Sequence, residues 1–354
     1  MTGADRQWQL NRRNFEGRWC GESHWYLRSA DGSLDLAQPS RVIAETCYAI
    51  RFFAADSAKG DSDADSSEDK DLSVNIDRVE NKDSGENKDS SENKDRGETT
   101  GRGETTGCGE DVDSGEDADS AEDADSAEDV DSTEDVDSGE WDGSGLLFAP
   151  EGRRRLALSR ASYNSGGQCW QFVGAGGQSS LELDPQQPRW GHEVNLFHGR
   201  SRSMLVLLWG RHEGESGCRW RLEALGAVGF RCSLAPIPDP ARPIPPEAAS
   251  LLEGARGWPG VLETLVPGQW PSKPPLPQPC GRFEPEDFAL HPLTLCFADA
   301  LVCSVPEWLP QGAFTLQVGC QLAPDRLHQL SLQVDAAGRL SRWELRRFTA
   351  SNGS

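Results

Sequence analysis

Short segments in which apolar and polar residues alternate recur along most of the chain, and turn residues separate them. Examples are FEGRWCGESHWYLRS, WGHEVNLFHGRSRSMLVLLWG and LHQLSLQVDAAGRL. A period of two is typical of strands that bury one face, and Gly, Asp and Asn between such segments favour tight turns. One short helix is indicated, at about residues 246–254. We therefore expect an all-β fold made of antiparallel sheets, of the sandwich or barrel type.

An acidic segment at residues 56–140 interrupts this pattern. It holds 32 of the 58 acidic residues and 8 of the 35 basic ones, whereas the whole chain has a net charge of −23. From residue 80 to 139 it repeats in hexads such as ENKDSG, ETTGRG and EDVDSG. A hexapeptide β-helix would need a bulky aliphatic residue in each turn, and only Val112, Val130 and Val136 qualify.

Weak, non-specific binding of divalent cations is a second interpretation of the acidic segment, because its carboxylates are dense but its glycine spacing is not that of an EF-hand loop. The third interpretation, which we favour, is a disordered, self-repelling loop that grew by tandem duplication. Long surface insertions cost little closure entropy, so the first domain can accommodate it.

Composition excludes several classes of protein. Outside residues 56–140 the chain has 26 acidic and 27 basic residues, so no nucleic-acid surface is predicted. No signal peptide and no membrane-spanning segment are expected, because no long apolar run occurs. The ten cysteines show neither C-x-x-C pairs nor zinc-ligand spacing, so we expect no metal site, reduced thiols and a cytoplasmic location.

Two G-x-W motifs divide the chain into similar halves. Gly on a first strand lets the chain bend at the closed end of a barrel, the indole fills that end, and an Arg from the last strand lies over the indole. The residues assigned to this structural role are Gly17, Trp19, Arg219 and Arg221 in the first half and Gly268, Trp270 and Arg342 in the second.

The predicted domains follow from these motifs and from proline content. The first barrel spans residues 1–235 and contains the acidic segment, the Pro-rich segment 236–256 is a linker, and residues 257–350 form the second domain. The second domain is shorter than the first, and we expect a short or incomplete barrel.

The opening FEGRWCGESHWYLRSADG, the hairpin GHEVNLFHGRSRSMLVLLW and the terminal AFTLQVGCQLAPDRLHQLSLQVDAAGRLSRWELRRF resemble an uncharacterised cyanobacterial family. The resemblance covers most of the chain outside the acidic segment and implies tandem calycin-like (lipocalin-like) barrels. More distantly, the barrel is similar to bilin lyases of the CpcS/CpeS type, which pass an open-chain tetrapyrrole to a cysteine of a phycobiliprotein. No chromophore motif of the lyases matches this chain residue by residue.

Polar and aromatic residues on the strands of the first half are candidates for contacting a ligand inside the barrel, whose interior suits one small molecule. They are His24, Tyr26, Tyr48, Arg51, Arg160, Trp170 and His192. An Arg could pair with a carboxylate, and a His could hydrogen-bond a pyrrole. For each of them an ordinary surface or barrel-rim position is the favoured interpretation. No catalytic motif occurs, and His24 lies too far along its strand to activate Cys20.

Two functions remain open at this point. The first is a non-catalytic carrier of a small hydrophobic or tetrapyrrole-like ligand, which would be the cofactor, with a link to pigment assembly and a phycobiliprotein-like partner. The second is a protein-interaction scaffold whose barrels are filled by side chains. A bilin lyase is a weaker alternative. An uncovered interior would favour the carrier, and a filled one would favour the scaffold.

Overall fold

The computed structural model describes residues 1–53, 144–148, 155–158, 166–214, 217–232 and 247–351. The acidic hexads and Arg160 lie outside these residues, so the disorder expected for 56–140 stays a prediction. The side chains of Tyr48 and Arg51 are likewise not described, although their backbone belongs to a strand.

The first half builds one antiparallel sheet of nine strands in the order β4-β3-β2-β1-β9-β8-β7-β6-β5. Consecutive strands are neighbours and the last strand returns to the first, which is up-and-down connectivity with one interruption, between β4 and β5, along the described residues. The strands are β1 (Gly17–Leu27), β2 (Arg41–Phe53), β3 (Ser144–Phe148), β4 (Arg155–Leu158), β5 (Cys169–Phe172), β6 (Ala175–Ser179), β7 (Arg189–His198), β8 (Ser201–Gly214) and β9 (Gly217–Cys232).

The second half repeats this plan with seven strands in the order β11-β10-β16-β15-β14-β13-β12. Its last strand again pairs with its first, and the interruption falls between β11 and β12 along the described residues. The strands are β10 (Pro259–Leu265), β11 (Gln278–Arg282), β12 (Leu293–Cys296), β13 (Leu301–Val305), β14 (Phe314–Ala323), β15 (Arg326–Val334) and β16 (Leu340–Thr349). The all-β, two-sheet architecture expected from the sequence is therefore confirmed.

Both sheets curl so that one face becomes an interior. In the first sheet, Trp8 contacts Phe52 on β2 and Cys169 on β5, which are six strands apart in the sheet order. In the second sheet, Cys280 on β11 and Cys296 on β12 lie at opposite edges and pack on the same apolar cluster. Contacts between such distant strands require strong curvature.

In the described residues three α-helices accompany the sheets: α1 (Gly3–Phe15), α2 (Ala248–Gly254) and α3 (Pro285–Phe288). Helix α2 confirms the helix expected near residues 246–254. Sequence reasoning missed α1, whose start is a capping box in which Thr2 and Asp5 bond each other's backbone N–H. It is anchored by polar contacts: Gln7 exchanges two hydrogen bonds with the backbone of Gln171, at 2.9 and 2.6 Å. None of the helices among the described residues is long and apolar enough to span a membrane.

Two turns expected from the sequence are present. Gly199 and Arg200 connect β7 to β8, with Gly199 at φ +55°, a conformation that glycine adopts without strain. The segment Asp335–Gly338 connects β15 to β16, and Gly338 has φ +77°. Both confirm hairpins that alternation and turn residues had indicated.

The outer faces of the two sheets share a hydrophobic core. Trp190, Leu205 and Leu207 of the first sheet belong to the same buried cluster as Leu316 and Leu332 of the second. Backbone pairing joins the halves as well, because Leu222 N–H donates to Glu307 O at 2.7 Å and Leu340 N–H to Leu181 O at 2.7 Å. The domain boundaries drawn from the sequence stay predictions, but the two halves form one structural body.

Charged side chains also connect the halves. Asp299 lies in a single 3-10 turn at Ala298–Ala300, and its carboxylate bonds Arg231 at 2.6 Å and Ser203 at 2.9 Å. Glycine at 229 leaves room for it, since a Cβ there would lie 2.8 Å from the Asp299 carboxylate. At another point Glu307 accepts from Arg28 at 3.1 Å and Arg221 at 3.0 Å.

The cysteines depart in one place from the expected reduced state. Cys20, on β1, is disulfide-bonded, and the residue that faces it across the ladder on β2 is Cys47. The expectation of a free thiol was therefore wrong for Cys20. The cysteines that the structure describes as free are Cys169, Cys218, Cys232, Cys280, Cys296, Cys303 and Cys320.

The interior of the first sheet as candidate functional site

The closed end of the first curled sheet is an aromatic floor, which we define as Phe15, Trp19, Phe197, Arg202 and Phe230. All five are buried, and Trp19 and Arg202 have no exposed surface. Trp19 is fixed because its indole N–H donates to the carbonyl of Phe15 at 2.8 Å. Gly17 begins this strand at φ +142°, where a Cβ would lie 2.7 Å from the Cys232 sulfur. Gly17 and Trp19 therefore lie together at the start of β1 with the indole buried in the floor, and their expected role in closing a barrel stays a prediction.

The arginine over Trp19 is not the one expected. Arg202 lies 5.4 Å and Arg200 5.6 Å from the Trp19 ring centroid, both near the start of β8. Arg219 and Arg221 instead lie 4.4 and 5.1 Å from the ring of Trp308. The expectation was wrong because Arg219 pairs with His212, at the far end of the β8–β9 ladder from Trp19.

The second G-x-W motif also differs from its expected role. Strand β10 ends at Leu265, so Gly268 (φ +70°) lies in the turn after it and does not open the strand. Trp270 stacks on Trp343, with ring centroids 5.9 Å apart. Trp343 belongs to the hydrophobic core that the outer faces of the two sheets share. Arg342 bonds Gln333 at 2.9 Å and Glu344 at 2.9 Å on the opposite face. Hence Trp270 and Arg342 do not close the second sheet together.

Arg202 is the unusual member of the floor. Its guanidinium lies 4.3 Å from the centroid of Phe230 and 5.3 Å from that of Phe15. Burial lowers the pKa of Arg202 well below its ordinary value, because the surrounding rings replace water as the environment of its charge. Cation–π contacts offset part of this desolvation.

Above the floor, an upper row of residues follows the interior across six strands. Its members pair in register, and directly opposed residues share a face of a sheet. They are Trp25, Gly226, Val206, Glu193, Gln178 and Cys169. The Trp25 ring lies over Gly226, where a Cβ would be only 2.6 Å from it. Unlike the floor, Trp25, Gln178 and Glu193 retain uncovered surface.

Two side-chain polar atoms near this row have no hydrogen-bond partner within the described part of the chain. They are the indole Nε1 of Trp25 and the amide Oδ1 of Asn195, both shielded from solvent. The amide nitrogen of Asn195 is used, donating to Glu193 at 2.9 Å and to the carbonyl of Gly176 at 3.2 Å. Buried polar atoms without partners are uncommon in folded proteins, and each calls for an explanation such as an ordered water, a bound molecule or a strained contact.

Two ionisable groups of the upper row have raised pKa values. Burial raises the pKa of Glu193, and the hydrogen bond from Asn195 opposes part of that effect. Burial raises the pKa of the Cys169 thiol to about 12, so that it is a neutral thiol near pH 7 and not a nucleophilic thiolate. The row is therefore suited to hydrogen bonding and not to nucleophilic attack.

The structure places most of the sequence-predicted ligand contacts elsewhere. Tyr26, Trp170 and His192 belong to the outer face, inside the core shared by the two sheets, and His24 bonds Glu22 at 2.5 Å, also away from the interior. Their assignment to the interior was wrong, because the face of each strand that is richest in apolar residues is the one covered by the second sheet. Tyr48 is paired in register with Trp19, and its side chain is not described.

His192 shows what that outer environment does. Its ring meets the Trp190 ring edge-on at 4.2 Å, and neither ring nitrogen has a hydrogen-bond partner within the described chain. Burial lowers the pKa of His192 to about 3. It is therefore a neutral core residue and not a ligand-binding one.

Sequence reasoning missed Trp25, Asn195 and Arg202 as interior residues. Alternation in β1 did place Trp19 and Trp25 on one face, which was the available signal. Among the described residues, no group of three or more His, Cys, Asp or Glu side chains could hold a metal ion.

Comparison with known proteins adds information on the fold. No protein-family model and no curated protein match the chain. Its structure is similar to the crystal structure of a DUF3598-family protein of unknown function from the cyanobacterium Nostoc punctiforme, with a TM-score of 0.50 and 11% identity over 98% of this chain and 99% of that one. At this identity the similarity shows the fold alone. A crystal structure of an inactive CurJ dehydratase mutant aligns with 51% of this chain and 75% of that one at 12% identity, but its TM-score of 0.10 carries no argument.

Proposed function

We propose that the chain is a non-catalytic, calycin-type binding protein that encloses one small molecule inside its first curled sheet. The observation that carries this proposal is the change along the interior, from a fully buried aromatic floor to an upper row with uncovered surface and unpartnered polar atoms. Ligand sites are typically concave and apolar with a few fixed polar groups, which is the combination found here.

The chemistry of the interior supports one ligand class. The floor of Phe15, Trp19 and Phe230 offers apolar ring surfaces to the inner end of the molecule. The Trp25 indole N–H supplies one donor and the Asn195 carbonyl one acceptor. Because burial raises the pKa of Glu193, its carboxyl is biased toward the neutral form, which both donates and accepts. An elongated apolar molecule with N–H and carbonyl groups, such as an open-chain tetrapyrrole, matches this pattern.

The connection to pigment assembly and to a phycobiliprotein-like partner rests on the sequence resemblance. A bilin lyase remains the weaker alternative, because no chromophore motif of the lyases matches this chain residue by residue. The scaffold alternative is favoured by the floor, where large side chains already occupy the closed end. The upper row is the feature on which the carrier and scaffold proposals differ.

The test is absorbance and native mass spectrometry of the full chain, purified from cells with and without bilin synthesis. We expect a one-to-one coloured adduct from the bilin-producing cells. Trp25→Phe and Glu193→Gln are expected to reduce its occupancy at least tenfold, whereas His24→Gln on the outer face leaves it unchanged.

A colourless, ligand-free protein from both strains would overturn the carrier proposal in favour of the scaffold. Equal loss of occupancy in all three variants would show that the site is not the interior. A covalent adduct would instead move the assignment toward a lyase.

A further inference from the structure

A proline-rich segment, residues 271–279, leads from the turn after β10 into the first two residues of β11, and it is the most exposed apolar feature of the described chain. It reads Pro-Ser-Lys-Pro-Pro-Leu-Pro-Gln-Pro, and its four central residues, 274–277, lie in neither helix nor strand. Leu276 is 85% exposed, more than the other large hydrophobic side chains among the described residues. A solvated leucine in a segment of five prolines is not explained by packing within this molecule.

The prolines restrict the segment to an extended form. Each proline fixes its own φ near −65°, and the residue before a proline is excluded from the helical region. Lys273, Pro274 and Leu276 each precede a proline, so the run 273–277 is biased toward a polyproline II helix. Its conformational entropy is therefore low before any partner binds.

A threefold helix sorts the segment into three edges. With three residues per turn, Pro271, Pro274 and Pro277 share one edge, while Lys273, Leu276 and Pro279 share the next. Pro275 lies on the third edge and is half-buried, whereas Pro274, Leu276 and Pro277 are exposed. Pro274, Leu276 and Pro277 therefore face solvent from two edges, while Pro271 and Pro275 are each partly covered.

Both ends of the segment are held by the fold. At the start, Trp270 stacks on Trp343, and a Cβ on Gly3 of α1 would lie 1.9 Å from the Trp270 carbonyl oxygen. At the end, Gln278 pairs with Leu262 on β10. Anchoring at both ends presents the segment as a preformed ligand and reduces the entropy lost when it binds.

We propose that residues 271–279 form a docking peptide for a protein domain with an aromatic-lined, proline-reading groove, of the type found in WW and SH3 domains. Such grooves take polyproline II segments by packing aromatic rings between exposed proline and aliphatic side chains. Pro274 and Pro277 would occupy the paired aromatic clefts, Leu276 the adjacent apolar surface, and Lys273 an acidic residue at the rim. This inference is independent of any ligand inside the first sheet.

The probe is a ¹⁵N-labelled WW domain selective for Pro-Pro-Leu-Pro, with an SH3 domain in parallel, titrated with the unlabelled full chain and followed by amide chemical shifts. We expect shifts confined to the aromatic groove of at least one of the two domains. Leu276→Ala and Pro277→Ala are each expected to weaken binding at least fivefold. The matched control is Leu290→Ala, an exposed leucine on another loop, which should leave the affinity unchanged.

If neither domain shows shifts in its groove with the full chain at about 1 mM, any affinity is weaker than a Kd of about 1 mM, and the proposal is overturned. Equal binding by wild type and Leu276→Ala would overturn it too. A further outcome is that Pro277→Ala dimerises while the wild type binds neither domain. The prolines would then serve only to protect the β11 edge from pairing with another chain, and the docking proposal would be wrong.

Discussion

The two curled sheets have the same connectivity, but the polar groups on their interior faces differ in how far they are hydrogen-bonded. The first holds an aromatic floor and, above it, polar atoms without partners in the described chain. The second carries a polar belt, which we define as the in-register residues Thr294, Ser304, Gln317, Ser331 and Glu344. Within this belt Ser331 and Gln329 both donate to Gln317, at 2.7 and 2.9 Å, and Arg346 donates to Ser331 at 2.8 Å.

The difference lies in where hydrogen bonds are completed. The belt satisfies its own donors and acceptors across neighbouring strands, so it stabilises the second sheet without requiring another molecule. Near the upper row of the first sheet, the Trp25 indole nitrogen and the Asn195 amide oxygen have no hydrogen-bond partner in the described chain, and the proposed carrier function rests on this difference. Shared connectivity therefore does not imply a shared role, and each prediction below tests one part of this contrast.

The largest effect is expected at the floor of the first sheet. Trp19→Ala should lower the free energy of unfolding by about 3–5 kcal/mol, because it opens a cavity among fully buried rings. Denaturant unfolding measures it. The matched change, Trp270→Ala in the second half, removes a half-buried ring and should cost less than half as much. Equal losses would show that the two G-x-W tryptophans are equivalent after all.

Acid sensitivity should come from the core between the two sheets. Because burial lowers the pKa of His192 to about 3, the folded state holds a neutral ring that the unfolded chain protonates near pH 6.5. Stability from this group is therefore complete above pH 6.5 and falls by about 1.4 kcal/mol per pH unit as the pH drops toward 3. The free energy of unfolding of His192→Leu should lack this contribution. The wild-type value minus the variant value should therefore fall as the pH drops from 6.5 toward 3. Parallel profiles would contradict the assignment.

Removal of one polar group should lower the free energy of unfolding when the group lies in the polar belt, and leave it nearly unchanged when the group lies in the upper row. Ser331→Ala leaves Gln317 and Arg346 short of a partner and should cost about 1–3 kcal/mol of unfolding free energy. Trp25→Phe removes an N–H that has no partner in the described chain, so its stability should change by less than about 0.5 kcal/mol. If the Trp25 variant loses as much stability as the Ser331 variant, the upper row is structural and the contrast fails.

The smallest effect should follow deletion of residues 60–138, a segment that the second half lacks. We expect the midpoint of thermal unfolding to stay within a few degrees, since long surface insertions contribute little to stability. Differential scanning calorimetry of the deletion variant measures it. Loss of the cooperative transition would show that the acidic segment stabilises the first sheet.

The sequence predicted the strands well because each rests on local signals. Alternation and turn glycines located β7, β8, β15 and β16 to within a few residues. Helix α1 was missed because its buried face includes the polar residues Gln7, Asn11 and Asn14, of which Gln7 and Asn14 hydrogen-bond Gln171 on β5. Such tertiary contacts leave no periodic apolar pattern in the chain.

The site was harder to predict because period-two alternation identifies two faces without telling which one is the interior. In β7 the apolar set Trp190, Val194 and Leu196 faces the second sheet, and Glu193 and Asn195 face inward. Only the packing of one half on the other decides this. In β1 alternation alone separated His24 and Tyr26 from Trp19, so two of the candidate contacts could have been rejected from the sequence.

The pairing of β1 with β9 has a consequence for the order of events during synthesis. Trp19 faces Cys232 in that ladder, so the first sheet joins residues near the amino terminus to residues made only after the whole acidic segment has left the ribosome. During that interval the edge of β1 that later pairs with β9 is unpaired, and it can pair with strands of other chains. We expect the acidic charge of the segment that emerges meanwhile to reduce association between neighbouring nascent chains.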